Sequence, residues 1–270
     1  MNESTKQELV PEKCDSGCKI KEEDAIYIAL TIGERILYCG GEVSRVEDTI
    51  KRICLAYGAK SVDVTVIMAL VVFSVDFGNG THTVSKRISG GDTNLARFSR
   101  LNNLSRRICV ECPDRAEFDE LYEKIENETK PNIFYHLFGC LLTAAAFAVF
   151  FGGNLLDFLL AGAIAIPMIL ALKLLSHFRL NNIVMKFIVS FLGGVLAIIV
   201  GRTGINCHTD MIMIGDIMNI IPGVALTNSI RDLFSGDIMS GVFRLFAAVL
   251  DAVAIAFGYA VAIIVFGGAL

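Results

Sequence analysis

The apolar residues of this chain are concentrated in its C-terminal half, and this uneven distribution limits what the chain can fold into. The sequence has 270 residues, of which 54% are hydrophobic. Up to about Pro131 it contains 18 Lys and Arg and 22 Asp and Glu residues, whereas the remainder contains six basic residues, six Asp and no Glu. An ordinary soluble domain does not carry such a surplus of apolar residues. The sequence therefore predicts a disordered tail over residues 1–22, a cytoplasmic α+β domain over 23–130 and a transmembrane domain over 131–270.

The transmembrane domain is expected to be α-helical and to cross the membrane five times. A hydrocarbon layer of about 30 Å requires roughly 20 helical residues. Five segments are long and apolar enough, namely Ile133–Phe151, Leu155–Leu175, Ile183–Gly201, Met211–Ile230 and Ile238–Leu270. The N-terminus is charged and has no apolar signal segment, so the first domain is expected in the cytoplasm. The basic residues of the connectors then lie mostly on the cytoplasmic side, in accord with the positive-inside rule, and the C-terminus lies outside.

The fourth predicted span contains a helix breaker, Pro222 followed by Gly223. Proline lacks a backbone donor and its ring clashes with the carbonyl four residues earlier. A carbonyl freed in lipid must find another partner or a wet cavity. The pair therefore predicts a broken helix near the middle of the membrane, with Pro222 at the start of a second half-helix. Broken helices of this kind recur at the substrate sites of secondary transporters.

Polar residues lie close to this break. Asp216 and Asn219 are three residues apart and thus share a helix face, and Asp251 is deep in the fifth predicted span. An ionisable residue inside a bilayer is costly and is by default a functional candidate. The candidate substrate and proton pathway consists of Asp216, Asn219, Pro222, Gly223, Asn228, Arg231, Asp232 and Asp251. Structural readings remain open for each of them: a packing kink at the proline, neutral acids, and an interface pair or cap at Arg231–Asp232.

The N-terminal domain is predicted to mix helices and strands. A helix is expected from Glu23 to Cys39, and a second follows Gly41 with an apolar stripe at Val43, Val46, Ile50, Ile53 and Tyr57. The stretch "KSVDVTVIMALVVFSVDF" predicts one strand, and "GNG" with "THTVSKRI" predicts a hairpin. "TNLARFSRLNNLSRRI" and "DRAEFDELYEKIENE" predict two further helices. No spacing of Cys and His predicts a metal site, and no cofactor is expected.

Four phrases taken in this order resemble the threonine/serine exporter family, and in particular the large subunit of its split form. They are "GGEVSRVEDTIKRI", "VDVTVIMALVVFSVDF", "RLNNLSRRI" and "IIPGVALTNSIRDLFSGDIMSGVFRL". The resemblance extends from about Asp24 over nearly the whole chain. It assigns a family motif to Gly40, Gly41, Glu42, Arg45, Glu47 and Asp48, and a second one to Pro222, Gly223, Arg231 and Asp232.

This resemblance implies a secondary transporter subunit that is not an enzyme. It implies proton-driven export of threonine, serine or dicarboxylates such as succinate, and a second small membrane subunit as partner. Small residues at Gly193, Ala197 and Gly201 fit packing within the chain or in an oligomer. The sequence has no basic stripe with interleaved aromatic residues, so nucleic-acid binding is not expected. The alternative is a membrane-anchored sensor or hydrolase, but Asp76, His82 and Ser85 lie on the predicted hairpin without a nucleophile elbow.

Overall fold

The computed structural model describes residues 20–67, 70–88, 91, 93–128, 132–178 and 180–267. The predicted tail therefore lies almost entirely outside the described residues. The chain divides into two compact units. The N-terminal unit comprises the described residues up to 128 together with Val224–Arg244, and the membrane unit comprises residues 132–223 together with Leu245 and the described residues that follow it. The segment Val224–Arg244 was expected in the transmembrane domain, but it packs with the N-terminal unit.

The N-terminal unit is built from helices and a small sheet, as predicted. Its elements are α1 (Glu22–Tyr38), α2 (Val43–Ala56), β1 (Ser61–Ile67), β2 (Leu70–Asp76), β3 (Thr81–Arg87), α3 (Leu95–Glu111) and α4 (Arg115–Glu128). The predicted apolar stripe of α2 is buried at Val43, Val46, Ile50 and Ile53. Tyr57 ends that helix, and its hydroxyl donates to the carbonyl of Pro113 at 2.8 Å.

The single strand predicted after α2 is wrong, because this run forms two strands. β1 pairs antiparallel with β2 in a register that places Ile67 opposite Leu70, and β2 pairs with β3 in the order β1-β2-β3. One continuous strand would be far longer than the usual 3–10 residues. Folding the run back on itself buries Val71, Phe73 and Val75 against the helices. Residues 68 and 69 lie outside the described residues.

The membrane unit contains the long apolar helices. They are α5 (Ile133–Phe150), α6 (Leu155–His177), α7 (Asn182–Arg202) and α10 (Ile238–Phe266), the last of which belongs to the membrane unit from Leu245 onward. Within the described residues these four helices are long and apolar enough to cross a membrane. The chain is thus a multi-pass membrane protein, whereas the fourth predicted span, Met211–Ile230, is not one continuous helix.

The predicted break is present in that segment. A short helix, α8 (Thr209–Ile217), ends before Pro222, and α9 (Gly223–Phe234) begins directly after it. Between the two helices the backbone turns tightly, with the N–H of Asn219 donating to the carbonyl of Asp216. Pro222 has no N–H with which to continue α8, and its fixed φ suits the start of a new helix. α8 packs against α5, α6 and α7.

Candidate functional site

The predicted site residues do not form one cluster. Asp216, Asn219, Pro222 and Gly223 lie in the membrane unit together with Asp251. Asn228, Arg231 and Asp232 lie in the N-terminal unit, with the motif residues of α1 and α2. The two sets are therefore described one after the other.

Asp216 is the most unusual polar residue of the membrane unit. It lies in the last turn of α8, is 1% exposed, and neither carboxylate oxygen has a hydrogen-bond partner. The preceding residue, Gly215, explains how the helix comes so deep into the bundle. A Cβ at Gly215 would lie 2.4 Å from the carbonyl oxygen of Ala144 on α5, so only glycine permits this approach.

A second buried group without a hydrogen-bond partner lies in the membrane unit and was not predicted from the sequence. Tyr259 of α10 is 5% exposed, and its hydroxyl has no hydrogen-bond partner. The hydroxyl lies over Gly193 of α7, where a Cβ would be 2.9 Å from it and 2.6 Å from the sulfur of Met168. The predicted small-residue ridge of α7 therefore packs against Tyr259 at Gly193.

The other predicted residues of the membrane unit have partners. The amide nitrogen of Asn219 donates to the carbonyl of Cys140 at 3.0 Å. Asp251 accepts from the amine of Lys186 at 2.5 Å and from the amide of Asn182 at 3.1 Å. The Asp251 and Lys186 side chains are each 14% exposed, so this is a largely buried ion pair. Asp251 is therefore neutralised within the bundle, in contrast to Asp216.

A further acid, Asp157, is fully buried. It completes a capping box with Asn154 at the start of α6. It also accepts from the backbone N–H of His208 and lies 2.8 Å from the Nδ1 atom of that residue. This contact raises the pKa of His208. Asp157 thereby fixes the connector that leads into α8.

In the N-terminal unit, residues of α9 and of the start of α10 contact the turn between α1 and α2. The amide of Asn228 donates to the carbonyl of Gly40 at 2.6 Å. Arg244 donates to the carbonyl of Gly41 at 3.0 Å, and Arg231 forms an ion pair with Glu42. We call Asn228, Arg231, Asp232 and Arg244, with their partners Gly40 to Val43, the α9 cluster.

Two glycines make this turn possible. Gly40 has φ +88°, a left-handed conformation that side chains disfavour. A Cβ at Gly41 would lie 2.7 Å from the carbonyl oxygen of Ile36. The glycine pair therefore lets the turn close tightly while its two carbonyls point to donors of α9 and α10.

Asp232 is the centre of the α9 cluster. Its side chain is fully buried and accepts from the N–H of Val43 at 3.3 Å and from Arg244 at 3.1 Å. Because Val43 begins α2, the carboxylate lies at the positive end of that helix. Burial raises the pKa of Asp232, while Arg244 and the Val43 N–H counteract that shift.

The remaining motif residues of α2 have separate surroundings. Arg45 is exposed, and Asp48 pairs with Arg52 at 2.9 Å. Glu47 accepts a hydrogen bond from the N–H of Val66 on β1 at 2.8 Å. This hydrogen bond satisfies a strand-edge donor. Burial raises the pKa of Glu47, with the Val66 bond acting against it and Asp237 adding to it.

Comparison with known families identifies the chain. The ThrE family, described as "Putative threonine/serine exporter", matches residues 27–266. This match spans both units and nearly all described residues. The chain belongs to the ThrE family. No curated protein matches it, and no solved structure does.

Membership of the ThrE family confirms the resemblance to threonine/serine exporters but does not test the assignment to the large subunit of a split form. With the four apolar helices it supports a membrane protein of amino-acid export. ThrE proteins form a transporter family, in agreement with the expectation that the chain is not an enzyme. In this ThrE chain His82 lies 3.2 Å from Glu22, and Asp76 accepts from the N–H of Gly78. His82 is thus paired with an acid outside the proposed hydrolase set.

Sequence reasoning missed Tyr259, Lys186 and the role of Arg244. Lys186 and Arg244 each lie inside a predicted span, and they had been counted only for orientation. A basic residue in one span and an acid in another indicate an ion pair between the two helices. This signal could have identified the pair of Lys186 and Asp251. No comparable signal marks Tyr259, because only the packing around it leaves its hydroxyl without a partner.

Proposed function

We propose that this chain is a subunit of a proton-coupled exporter of small hydrophilic metabolites, with Asp216 as the group that carries the proton. The observation that carries the proposal is the buried carboxylate of Asp216 without any hydrogen-bond partner. An unpaired charge in such a place is strongly disfavoured, so the carboxyl group readily takes up a proton. A group that is neutral when enclosed and charged when exposed to water is suited to carry protons across a membrane.

Asp251 was an equal candidate in the sequence but is less suited to this role. Its charge is balanced by Lys186, so proton uptake would break a largely buried ion pair. We assign the Asp251–Lys186 pair to the packing of α7 against α10. This assignment leaves Asp216 as the acid whose charge is uncompensated.

The substrate carboxylate is expected at the helix break. The amide nitrogen of Asn219 carries two hydrogens, one of which reaches Cys140. The second can donate to a substrate carboxylate. The backbone at Gly223 begins α9, and the N-terminal end of a helix favours an anion.

The α9 cluster is proposed to hold the half-helix that follows the break. Asn228, Arg231 and Asp232 were first considered as pathway residues, but their side chains contact the turn at Gly40 to Val43. A helix anchored in this way can pass a movement of α2 on to the chain at Pro222. The cytoplasmic unit would then regulate or gate export.

The proposal includes the features that the family resemblance implies. From the charges of the connectors, the N-terminus is also proposed to lie in the cytoplasm and the C-terminus on the opposite side of the cell membrane, with the broken segment between α7 and α10 as the fifth crossing. A second small membrane subunit completes the transporter. Threonine and serine are the first substrates to test, and dicarboxylates such as succinate are the second.

The proposed function can be tested in cells that lack this gene and the gene for the partner. Restoring both should lower the intracellular threonine and raise it in the medium, and restoring either alone should not. Collapse of the proton gradient should abolish the difference. Unchanged threonine, serine and succinate in the medium after restoring both genes would contradict the proposed function.

A further inference from the structure

The helix α9 of the N-terminal unit has its polar side towards the protein and its apolar side outward. Asn228 and Asp232 contact the turn between α1 and α2. The largest apolar residue of the helix, Phe234, is 89% exposed, and Ile230 one turn earlier is exposed as well. A helix on the surface of a soluble domain has the reverse arrangement, with its apolar stripe towards the core. The outward side of α9 therefore requires an apolar surrounding.

The start of α10 extends this apolar surface. A short connector that contains Gly236, at φ +95°, separates the two helices. The start of α10 lies so close to the end of α9 that a Cβ at Gly241 would be 2.7 Å from the Cγ atom of Leu233. Four apolar residues in the first turns of α10 are exposed. We call the following residues, all of which belong to the N-terminal unit, the apolar patch: Ile230, Phe234, Ile238, Met239, Val242 and Phe243.

The helix α10 is longer than a crossing of the hydrocarbon layer requires. Its 29 residues rise by about 43 Å, whereas the hydrocarbon layer is about 30 Å thick and the bilayer with its headgroup regions about 40–45 Å. The part that belongs to the membrane unit, Leu245–Phe266, rises by about 33 Å and is sufficient for the crossing. The first turns of α10 therefore reach the headgroup region, and the end of α9 lies beside them.

The apolar patch is continuous with the surface of α10 that crosses the membrane. Along one face of this helix, exposed apolar residues recur at intervals of three or four, which keeps them on one stripe. They are Met239 and Phe243 of the patch, followed by Phe246, Leu250, Val253 and Phe257 of the membrane unit. A stripe that runs without interruption into a membrane-spanning segment favours lipid as the surrounding of the patch. Arg231, which lies on α9 and pairs with Glu42, matches the basic residues that accompany the apolar face of interfacial helices.

We propose that the apolar patch is a bilayer anchor of the N-terminal unit, and that it lies in the boundary between the lipid headgroups and the acyl chains. An apolar helix face in this boundary is buried by about 5–10 Å. The opposite side of α9 binds the turn between α1 and α2 through Asn228 and Asp232. The N-terminal unit is thereby attached to the bilayer surface, and the lipid at this surface is a binding partner of the unit.

The test uses tryptophan fluorescence, because the chain contains no tryptophan and a single introduced one reports on a single position. The full-length chain is reconstituted into phosphatidylcholine vesicles that contain lipid brominated either close to the headgroup or near the end of the acyl chain. Bromine quenches tryptophan emission only at short range, so the two lipids distinguish shallow from deep positions. Phe234→Trp should emit at short wavelength and lose most intensity with the lipid brominated close to the headgroup.

Two matched controls bracket this result. Phe257→Trp, at an exposed position about midway along Leu245–Phe266, should lose most intensity with the lipid brominated near the chain end. Leu95→Trp, at an exposed apolar position of the N-terminal unit on α3, should emit at long wavelength and be quenched by neither lipid. Met239→Trp repeats the measurement within the patch and should match Phe234→Trp, so that the test remains decisive if thermal unfolding shows that one variant is not folded.

Three results would overturn the bilayer anchor. Emission at long wavelength without quenching at Phe234 and Met239 would mean that the patch is in water. Emission at short wavelength that neither brominated lipid quenches would mean that a protein surface covers it, such as a second copy of this chain. Quenching at the depth of Phe257 would mean that the patch lies inside the hydrocarbon layer and not at its boundary.

Discussion

Asp216 and Asp232 are both buried aspartates near the helix break, and their surroundings are opposite. Asp232 accepts hydrogen bonds from the start of α2 and from Arg244, so its charge is compensated within the N-terminal unit. Asp216 has no partner within the membrane unit. The two residues thus show two roles of a buried acid. Asp232 stabilises the start of α2, whereas Asp216 is without a partner and can accept a proton.

The largest expected effect is the loss of export in Asp216→Asn. The substitution keeps the size of the side chain but removes the group that takes up a proton. Because no hydrogen bond is lost, the folded state should be as stable as wild type, or more stable by about 1 kcal/mol. Proton-driven threonine efflux and thermal unfolding in detergent should be measured together. A variant that is destabilised yet exports normally would make Asp216 a structural residue like Asp232.

Asp232→Ala should have the opposite profile. It leaves the Val43 N–H and the Arg244 guanidinium without their acceptor. Loss of one partner of a buried pair costs about 3–5 kcal/mol, and because Arg244 is partly exposed we expect about 2–3 kcal/mol here. Unfolding by denaturant measures this loss, with the exposed Asp63→Ala on β1 as control. A change below about 0.5 kcal/mol would mean that the α9 cluster contributes little to stability.

Pro222→Ala should affect export more than stability. Alanine restores a backbone N–H and favours helix through the break, so α8 and α9 are expected to join. Export should fall severalfold, while the midpoint of thermal unfolding is unchanged or higher. Pro167→Ala is the matched control, because Pro167 lies inside the continuous helix α6 and its replacement opens or closes no break. Equal export by the two variants would show that the break is not needed.

The features that follow local patterns could be predicted from the sequence. The buried stripe of α2 has helical spacing, and the break at Pro222 follows from the chemistry of one residue. The sequence did not indicate that the β-branched run folds back on itself as two strands. Burial at alternating positions gives the same local pattern in one long strand and in two short ones. The role of Asp232 was missed for a related reason, since one of its two partners, Val43, lies 189 residues away along the chain.

The same limit explains the outcome for the membrane residues. Asp216 and Asp251 are equivalent in the sequence, as single acids in apolar segments. Only the packing of α7 against α10 places Lys186 beside Asp251. Nothing local indicates that Asp216 lacks such a partner, so the distinction between a neutralised acid and a free one depends on tertiary structure.

The smallest expected effect concerns Glu47, which is intermediate between the two aspartates because it is partly buried and has one backbone partner. Burial raises its pKa in the folded state, so the native protein holds a proton that the unfolded chain has already lost. Wild-type stability should therefore decrease as the pH rises above about 4.3, the usual value for glutamate. Glu47→Gln keeps an acceptor for the Val66 N–H but cannot titrate. The difference in unfolding free energy between wild type and variant should grow in favour of the variant from pH 4 towards pH 7, by no more than about 0.5 kcal/mol for a partly exposed group.

Asp232 titrates in the same direction in both proteins, so its contribution cancels in this difference. Arg45→Ala, at an exposed position of the same helix, should give a curve parallel to wild type. If the pH dependence of the unfolding free energy of Glu47→Gln also runs parallel to that of wild type, burial does not shift the pKa of Glu47. Glu47 is then a solvated surface residue of α2.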